Sequence, residues 1–222
     1  MLNRFQTAAT AVASQIEFEA NKLASGLGYT ITGEDDFTSR FADRVERAID
    51  GQFINGVQFK AVLRKFTSAG AGSEEKEYGA DLAIVISAYG SGLNLSKGFL
   101  IQSKIAPTDF GKISSRKSLF PPSDRIWKQC DNMLNFTPEA YIWLYSDAGI
   151  HVARAMSFRG AGPSHLRDLN YHGPGRFFYD ALMCWNGDHR LGYSDGKIDF
   201  AEGDIRAKQA LEITIVNEEE GY

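Results

Sequence analysis

The sequence predicts an α/β (α+β) domain in which a central mixed β-sheet is flanked by helices. Three features point to it: apolar residues at helical spacing near the N-terminus, alternating or wholly apolar runs parted by glycine-rich turns in the middle, and a helix-period segment lying between two strand-like segments. A helix in that position permits a parallel crossover, which makes the sheet mixed. With 222 residues, 43% of them apolar and 23% charged, the chain has material for one sizeable core and too little for two full domains.

The elements follow in order. Phe5, Ala9, Val12, Ile16, Ala20, Leu23 and Leu27 fall on one helical face, and Gly26 and Gly28 end this first helix. A second helix starts at Thr32 to Asp36, where Thr32 or Gly33 can cap and Glu34, Asp35 and Asp36 suit the positive end of the helix dipole; Phe37, Phe41, Val45 and Ile49 carry it to Gly51. Val57 to Phe66 alternates as a strand with one solvated face does, and a loop spans Ser68 to Glu77. Ala80 to Tyr89 is nearly all apolar, the pattern of a strand buried on both faces; Gly90 to Asn94 turns the chain into a third strand, Gly98 to Ile105. These three strands read as an antiparallel meander.

Pro107 to Pro122 is polar, and Ser123 or Asp124 then opens a helix with Ile126, Trp127, Cys130, Met133 and Leu134 on its apolar face. Strands at Ala140 to Tyr145 and Gly149 to Ala155 meet at a tight turn. Beyond them, Gly160 to Ser164 reads as a turn and Phe177 to Trp185 as a short helix, while the acids after Asp195 read as a solvated face and a frayed tail. The expected division is a core over 1–156 and a C-terminal extension over 157–222, packed on the core and ending in an acidic tail.

Composition narrows the function. A formal charge of -4 argues against indiscriminate coating of nucleic acid or membrane. Neither the N-terminus nor Ala80 to Ala88 approaches the run of about 20 apolar residues that a membrane helix needs. Two distant cysteines, Cys130 and Cys184, make no disulfide framework and no metal knuckle, which suits a reducing cytoplasm. His151, His165, His172 and His189 lack zinc spacing.

The chemistry concentrates on two predicted strands. Asp81 opens the buried strand, and the next strand carries Gln102, Ser103 and Lys104, with Gln102 and Lys104 on one face and Ser103 on the other. Charges in such apolar surroundings cost several kcal/mol, in order of magnitude, unless they pair or bind an ion. A surface pair at the strand ends would satisfy them equally well.

At these residues the sequence resembles the PD-(D/E)xK nuclease superfamily, the restriction-endonuclease-like fold. The resemblance covers roughly residues 15 to 155: Glu34 with Asp35 and Thr38 at a helix start, Glu77 ahead of Gly79-Ala80-Asp81, then Gln102-Ser103-Lys104, then Gln129 on a helix and a strand from Tyr141 to Tyr145. Within that superfamily the pattern looks like small prokaryotic nucleases often linked to restriction or phage defence. Ala80 stands where the motif has its proline, and Gln102 where it more often has an acid.

The resemblance implies a Mg²⁺ or Mn²⁺ cofactor held by Asp81, Glu34, the Gln102 side-chain oxygen and the Ser103 carbonyl, with Lys104 orienting or deprotonating the attacking water. Glu77 and Gln129 would lie behind that first set. The substrate it implies is DNA; RNA cleavage by the same site and a binding module that cuts nothing are the alternatives, and a homodimer or a defence-system partner protein would fit either. From Lys104 to Lys128, six bases stand against two acids, and Lys112, Arg116, Lys117, Arg125 and Lys128 are the candidate phosphate contacts.

Overall fold

The computed structural model describes residues 2–65, 80–90, 93–107, 110, 118–192, 198–200, 203–205 and 207–217. Glu77, Lys112, Arg116, Lys117, the loop from Ser68 to Glu77 and the final acids Glu218 to Glu220 lie outside the described residues.

Helix α1 (Leu2–Ala24) and helix α2 (Glu34–Ile49) form as their apolar periods require, with Gly33 rather than Thr32 at the head of α2 and three acids in its first turn. Strands β1 (Phe53–Ile54), β2 (Val57–Lys65), β3 (Leu82–Gly90) and β4 (Leu93–Ile105) follow. Then come α3 (Ile126–Phe136), β5 (Ala140–Ser146), β6 (Gly149–Arg154), α4 (Ala155–His165), α5 (Pro174–Leu182), the small hairpin β7 (Ile198–Phe200) with β8 (Gly203–Ile205), and β9 (Gln209–Asn217).

Seven strands make one mixed sheet in the order β1-β2-β9-β3-β4-β5-β6. The α3 crossover brings β5 parallel to β4, as the helix between the two strands predicts, and β3 and β4 form the expected antiparallel pair. Each face of the sheet is covered. Leu82, Ile84, Phe99, Ile101, Tyr141 and Trp143 pack against α1, α2 and α5, while Ala83, Val85, Leu100, Ile142 and Leu144 pack against α3 and α4. The alternation of side chains along β3, β4 and β5 assigns each residue to one layer or the other. Among the described residues, no helix is long and apolar enough to cross a membrane.

Two sequence expectations are corrected. The antiparallel meander does not form, because β9 enters between β2 and β3, antiparallel to the first and parallel to the second. For the same reason the division into a 1–156 core and a 157–222 extension does not follow the fold: β9 belongs to the middle of the sheet, and Phe177, Phe178, Ala181 and Leu182 of α5 are buried in the larger core cluster. The physical cause lies in β9 itself, where Leu211, Ile213 and Ile215 are buried and alternate with half-buried Glu212, Thr214 and Val216. The acids of this region mask that period.

Smaller differences have local causes. The strand expected to run to Ala155 stops at Arg154, and Gly160 to Ser164 lies within α4, which breaks at Gly162, a residue with φ of 62° that leaves helical space just before Pro163. Gly98 admits a neighbouring segment: its N–H and C=O exchange bonds with Asp188, and a Cβ there would stand 2.6 Å from Leu191 Cβ.

Asp188 anchors that segment. Its carboxylate accepts from Thr137 Oγ1 at 2.7 Å, from the Arg190 N–H at 2.9 Å and from Arg190 Nη2 at 2.7 Å. These bonds, led by those from the Arg190 side chain, hold its carboxyl down to about 2. A folded value below the unfolded one means stability that is present above about pH 4 and lost as pH falls toward 2. Urea midpoints should therefore fall more steeply over that window in the wild type than in Asp188→Asn. A second expectation concerns Phe177, whose ring meets those of Phe99, Tyr141, Trp143 and Phe178. Phe177→Ala should destabilise the protein by about 3–5 kcal/mol in chemical denaturation.

Candidate functional site

The antiparallel register of β3 and β4 pairs Leu82 with Ile101, and Asp81 N–H donates to the Ile101 carbonyl at 2.8 Å. The start of one strand is thus fixed beside the end of the other, and Asp81 comes to lie against Gln102. Alternation then sends Gln102 and Lys104 to the α3 side and Ser103 to the α2 side. The first turn of α2 sits at this same end of the sheet, so that Glu34 reaches β4: its Oε2 accepts from Lys104 Nζ at 3.1 Å and its Oε1 from the Ile105 N–H at 3.3 Å.

Asp81, Gln102 and Lys104 are 3%, 1% and 5% exposed, so these polar groups are largely out of water. Asp81 Oδ2 accepts from the Ser103 N–H at 2.9 Å and from the Gln102 amide nitrogen, which also donates to the Ser103 carbonyl at 3.0 Å. Asp81 Oδ1 accepts from Lys208 Nζ at 2.9 Å. Burial pushes the Asp81 carboxyl above its ordinary value; Lys208 above all, then the Ser103 N–H and Lys104, pull the other way without overcoming it.

A cleft of about 430 Å³ opens at the Glu34 and Lys104 edge of the centre, lined by these two with Phe120, Asp124 and Arg125, while Asp81, Gln102 and Ser103 are not among its lining residues. A larger cavity of about 610 Å³ lies nearby, bounded by Leu27, Ile31, Ile105, Phe110 and His151 among others, and none of the expected site residues lines it. There the His151 ring bonds to Ser146 Oγ at 2.9 Å.

The five residues expected to form the centre, Glu34, Asp81, Gln102, Ser103 and Lys104, are thus brought together. Arg125 borders the cleft, and Lys128, one turn further along α3, is exposed. Gln129 is not among the residues lining the cleft, and among the described residues its buried Oε1 has no hydrogen-bond partner.

Sequence reasoning missed Lys208. The register of β9 pairs Gln209 with Leu82, which sets Lys208 beside Asp81; the alternation of β9 marks it as a strand but does not name β3 as its partner. It missed Tyr145 as well. Ser103 Oγ, on the face opposite Gln102, forms a buried triangle with Thr38 Oγ1 at 3.0 Å and Tyr145 OH at 2.9 Å, the last two also 2.9 Å apart. Thr38 Oγ1 further donates to the Glu34 carbonyl at 2.8 Å. The triangle therefore ties the head of α2, and Glu34 with it, to β4 and β5.

Among the described residues, no group of three or more His, Cys, Asp or Glu side chains could hold a metal ion. The donors at the centre are oxygens of mixed kind: the Asp81 and Glu34 carboxylates, the Ser103 carbonyl, and Gln102 Oε1, which is buried and has no hydrogen-bond partner among the described residues. The Gln102 amide nitrogen touches both Asp81 and the Ser103 carbonyl, so turning the amide about its last torsion would aim an oxygen at two other oxygens. A cation between them would stabilise that arrangement, and an all-oxygen set with two carboxylates suits a hard divalent ion that keeps several waters. The residues present fit Mg²⁺ or Mn²⁺.

No family model, curated protein or solved structure matches the chain.

The hydroxyl triangle yields a prediction. Thr38→Val keeps the shape and removes the bonds to Ser103 and Tyr145, which should cost about 1–3 kcal/mol in equilibrium unfolding. Tyr145→Phe, which also removes one corner but leaves the Thr38 bond to the Glu34 carbonyl in place, should cost less.

Proposed function

We propose that the protein is a Mg²⁺- or Mn²⁺-dependent nuclease that hydrolyses phosphodiester bonds in DNA. The observation that carries this proposal is the convergence of Asp81, Gln102, Lys104 and Glu34, from the start of β3, from β4 and from α2, at one end of the sheet, where Glu34 and Lys104 line a cleft bordered by Arg125. It agrees with the resemblance of the same residues to the PD-(D/E)xK superfamily.

Asp81 and Glu34 would hold the cation, with Gln102 Oε1 and the Ser103 carbonyl as neutral ligands. When bound, the ion neutralises the phosphate, organises water and stabilises charge on the leaving oxygen. Lys104, whose ammonium is anchored to Glu34, would contact a non-bridging phosphate oxygen and orient the attacking water. Arg125 and Lys128 would hold the strand by its backbone, which positions it without reading sequence.

The neutral Gln102 and the engagement of both acids by lysines favour a second reading, a nuclease-fold module that binds nucleic acid or a protein partner and cuts nothing. Plasmid DNA incubated with Mg²⁺ or Mn²⁺ separates the two. Nicking or linearisation that EDTA abolishes, that Asp81→Ala eliminates and that Lys104→Ala slows by about 10²-fold or more is the expected outcome. Intact plasmid, single-stranded DNA and RNA across both metals, with binding retained, would instead establish the module.

A further inference from the structure

Lys208 has no place in the sequence motif, yet it makes the closest ionic contact to the buried carboxylate of the centre. Its Nζ lies 2.9 Å from Asp81 Oδ1 and 2.7 Å from Asp35 Oδ1. The two acids differ sharply. The Asp81 side chain is 4% exposed, and its other oxygen is taken by the Ser103 N–H and the Gln102 amide; the Asp35 side chain is 68% exposed and sits in the first turn of α2, next to Glu34.

A divalent cation approaching Asp81 Oδ1 therefore meets an ammonium already within hydrogen-bond distance of that oxygen. Two positive centres so close repel strongly in a poorly solvated site. They need not both stay, because Lys208 keeps a partner in Asp35 when it leaves Asp81, which lowers the cost of release.

We propose that Lys208 is a positioning residue that serves as the resident counter-ion of Asp81 and gives way to the catalytic cation by releasing Asp81 while keeping its bond to Asp35. In the metal-free protein it stabilises a carboxylate that burial would otherwise disfavour. In the loaded protein it stays at the edge of the centre, held by α2, within the region a substrate phosphate would enter. The strand that delivers it, β9, thereby links completion of the sheet to the affinity of the site for metal. The inference rests on the metal-dependent reading above, and its test does not use cleavage.

Mn²⁺ binding to the full chain would be measured by calorimetry or by electron paramagnetic resonance, alongside metal-free and Mn²⁺-loaded thermal unfolding. Lys208→Met removes the competing charge while keeping a long unbranched side chain, one atom shorter than that of lysine. It should bind Mn²⁺ at least about tenfold more tightly than the wild type, in line with the loss of one unit charge a few ångströms away. The variant should also melt lower than the wild type without metal and gain more on adding it, since ligand that binds only the folded state raises its stability by mass action.

Asp35→Asn, an exposed change that leaves the fold intact, should weaken Mn²⁺ binding because the displaced lysine loses its second anchor. Unchanged or weaker binding in Lys208→Met, with Asp81→Asn still abolishing it, would overturn the role of Lys208 and leave the metal centre standing. Absence of Mn²⁺ binding in both wild type and Lys208→Met would overturn both. Should Lys208→Met fail to fold, unchanged or tighter binding in Asp35→Asn would overturn the proposal on its own.

Discussion

A strand buried on both faces must find hydrogen-bond partners along both edges, and β3 is such a strand. Its backbone groups have no water to turn to, so leaving one edge open would cost a penalty at each unpaired amide. β4 supplies one edge through a hairpin, and β9 supplies the other from the far end of the chain. The rest of the architecture follows from that pairing: the position of β2 outside β9, the two helical layers, and the meeting of Asp81, Gln102, Lys104 and Lys208 at one end of the sheet.

The parts of the fold legible in the sequence are those whose signals are local and strong. Helical periods over α1 and α2, the apolar run of β3 and the crossover helix between β4 and β5 state their structure directly. The parts that were not legible depend on distant pairing. Nothing near Val57 to Lys65 says that its neighbour is residues 209–217 rather than the next strand along the chain, and in β9 the alternation of Leu211, Ile213 and Ile215 competes with an acidic composition that reads as surface. Composition averages over a segment, whereas a period of two locates each side chain; in β9 the period decides.

The site divides in the same way. Asp81, Gln102 and Lys104 could be placed from the hairpin and the rule of alternation, and Glu34 from the resemblance, because each lies where local structure puts it. Lys208 could not, since its contact with Asp81 exists only through the β3 and β9 register. Tyr145 likewise carries no motif; it matters because Ser103 turns its hydroxyl to the face where Phe37 stacks on the Tyr145 ring and Thr38 waits one residue further along α2. The backbone of Ser103 thus serves the acidic centre on one side of the sheet while its side chain secures the helix on the other.

The place of β9 in the middle of the sheet also has a consequence in time. Synthesis delivers β2, β3 and β4 long before β9, so during that interval β3 has an open edge and β2 has no partner except the two residues of β1. Pairing across so much intervening chain raises contact order, which slows folding, and an unpaired apolar strand is a template for neighbouring copies until its own partner arrives. The nascent chain is therefore most in need of chaperone cover late in translation, and a ribosome that stalls before residue 209 releases a product with an open strand edge and an Asp81 that has not met Lys208.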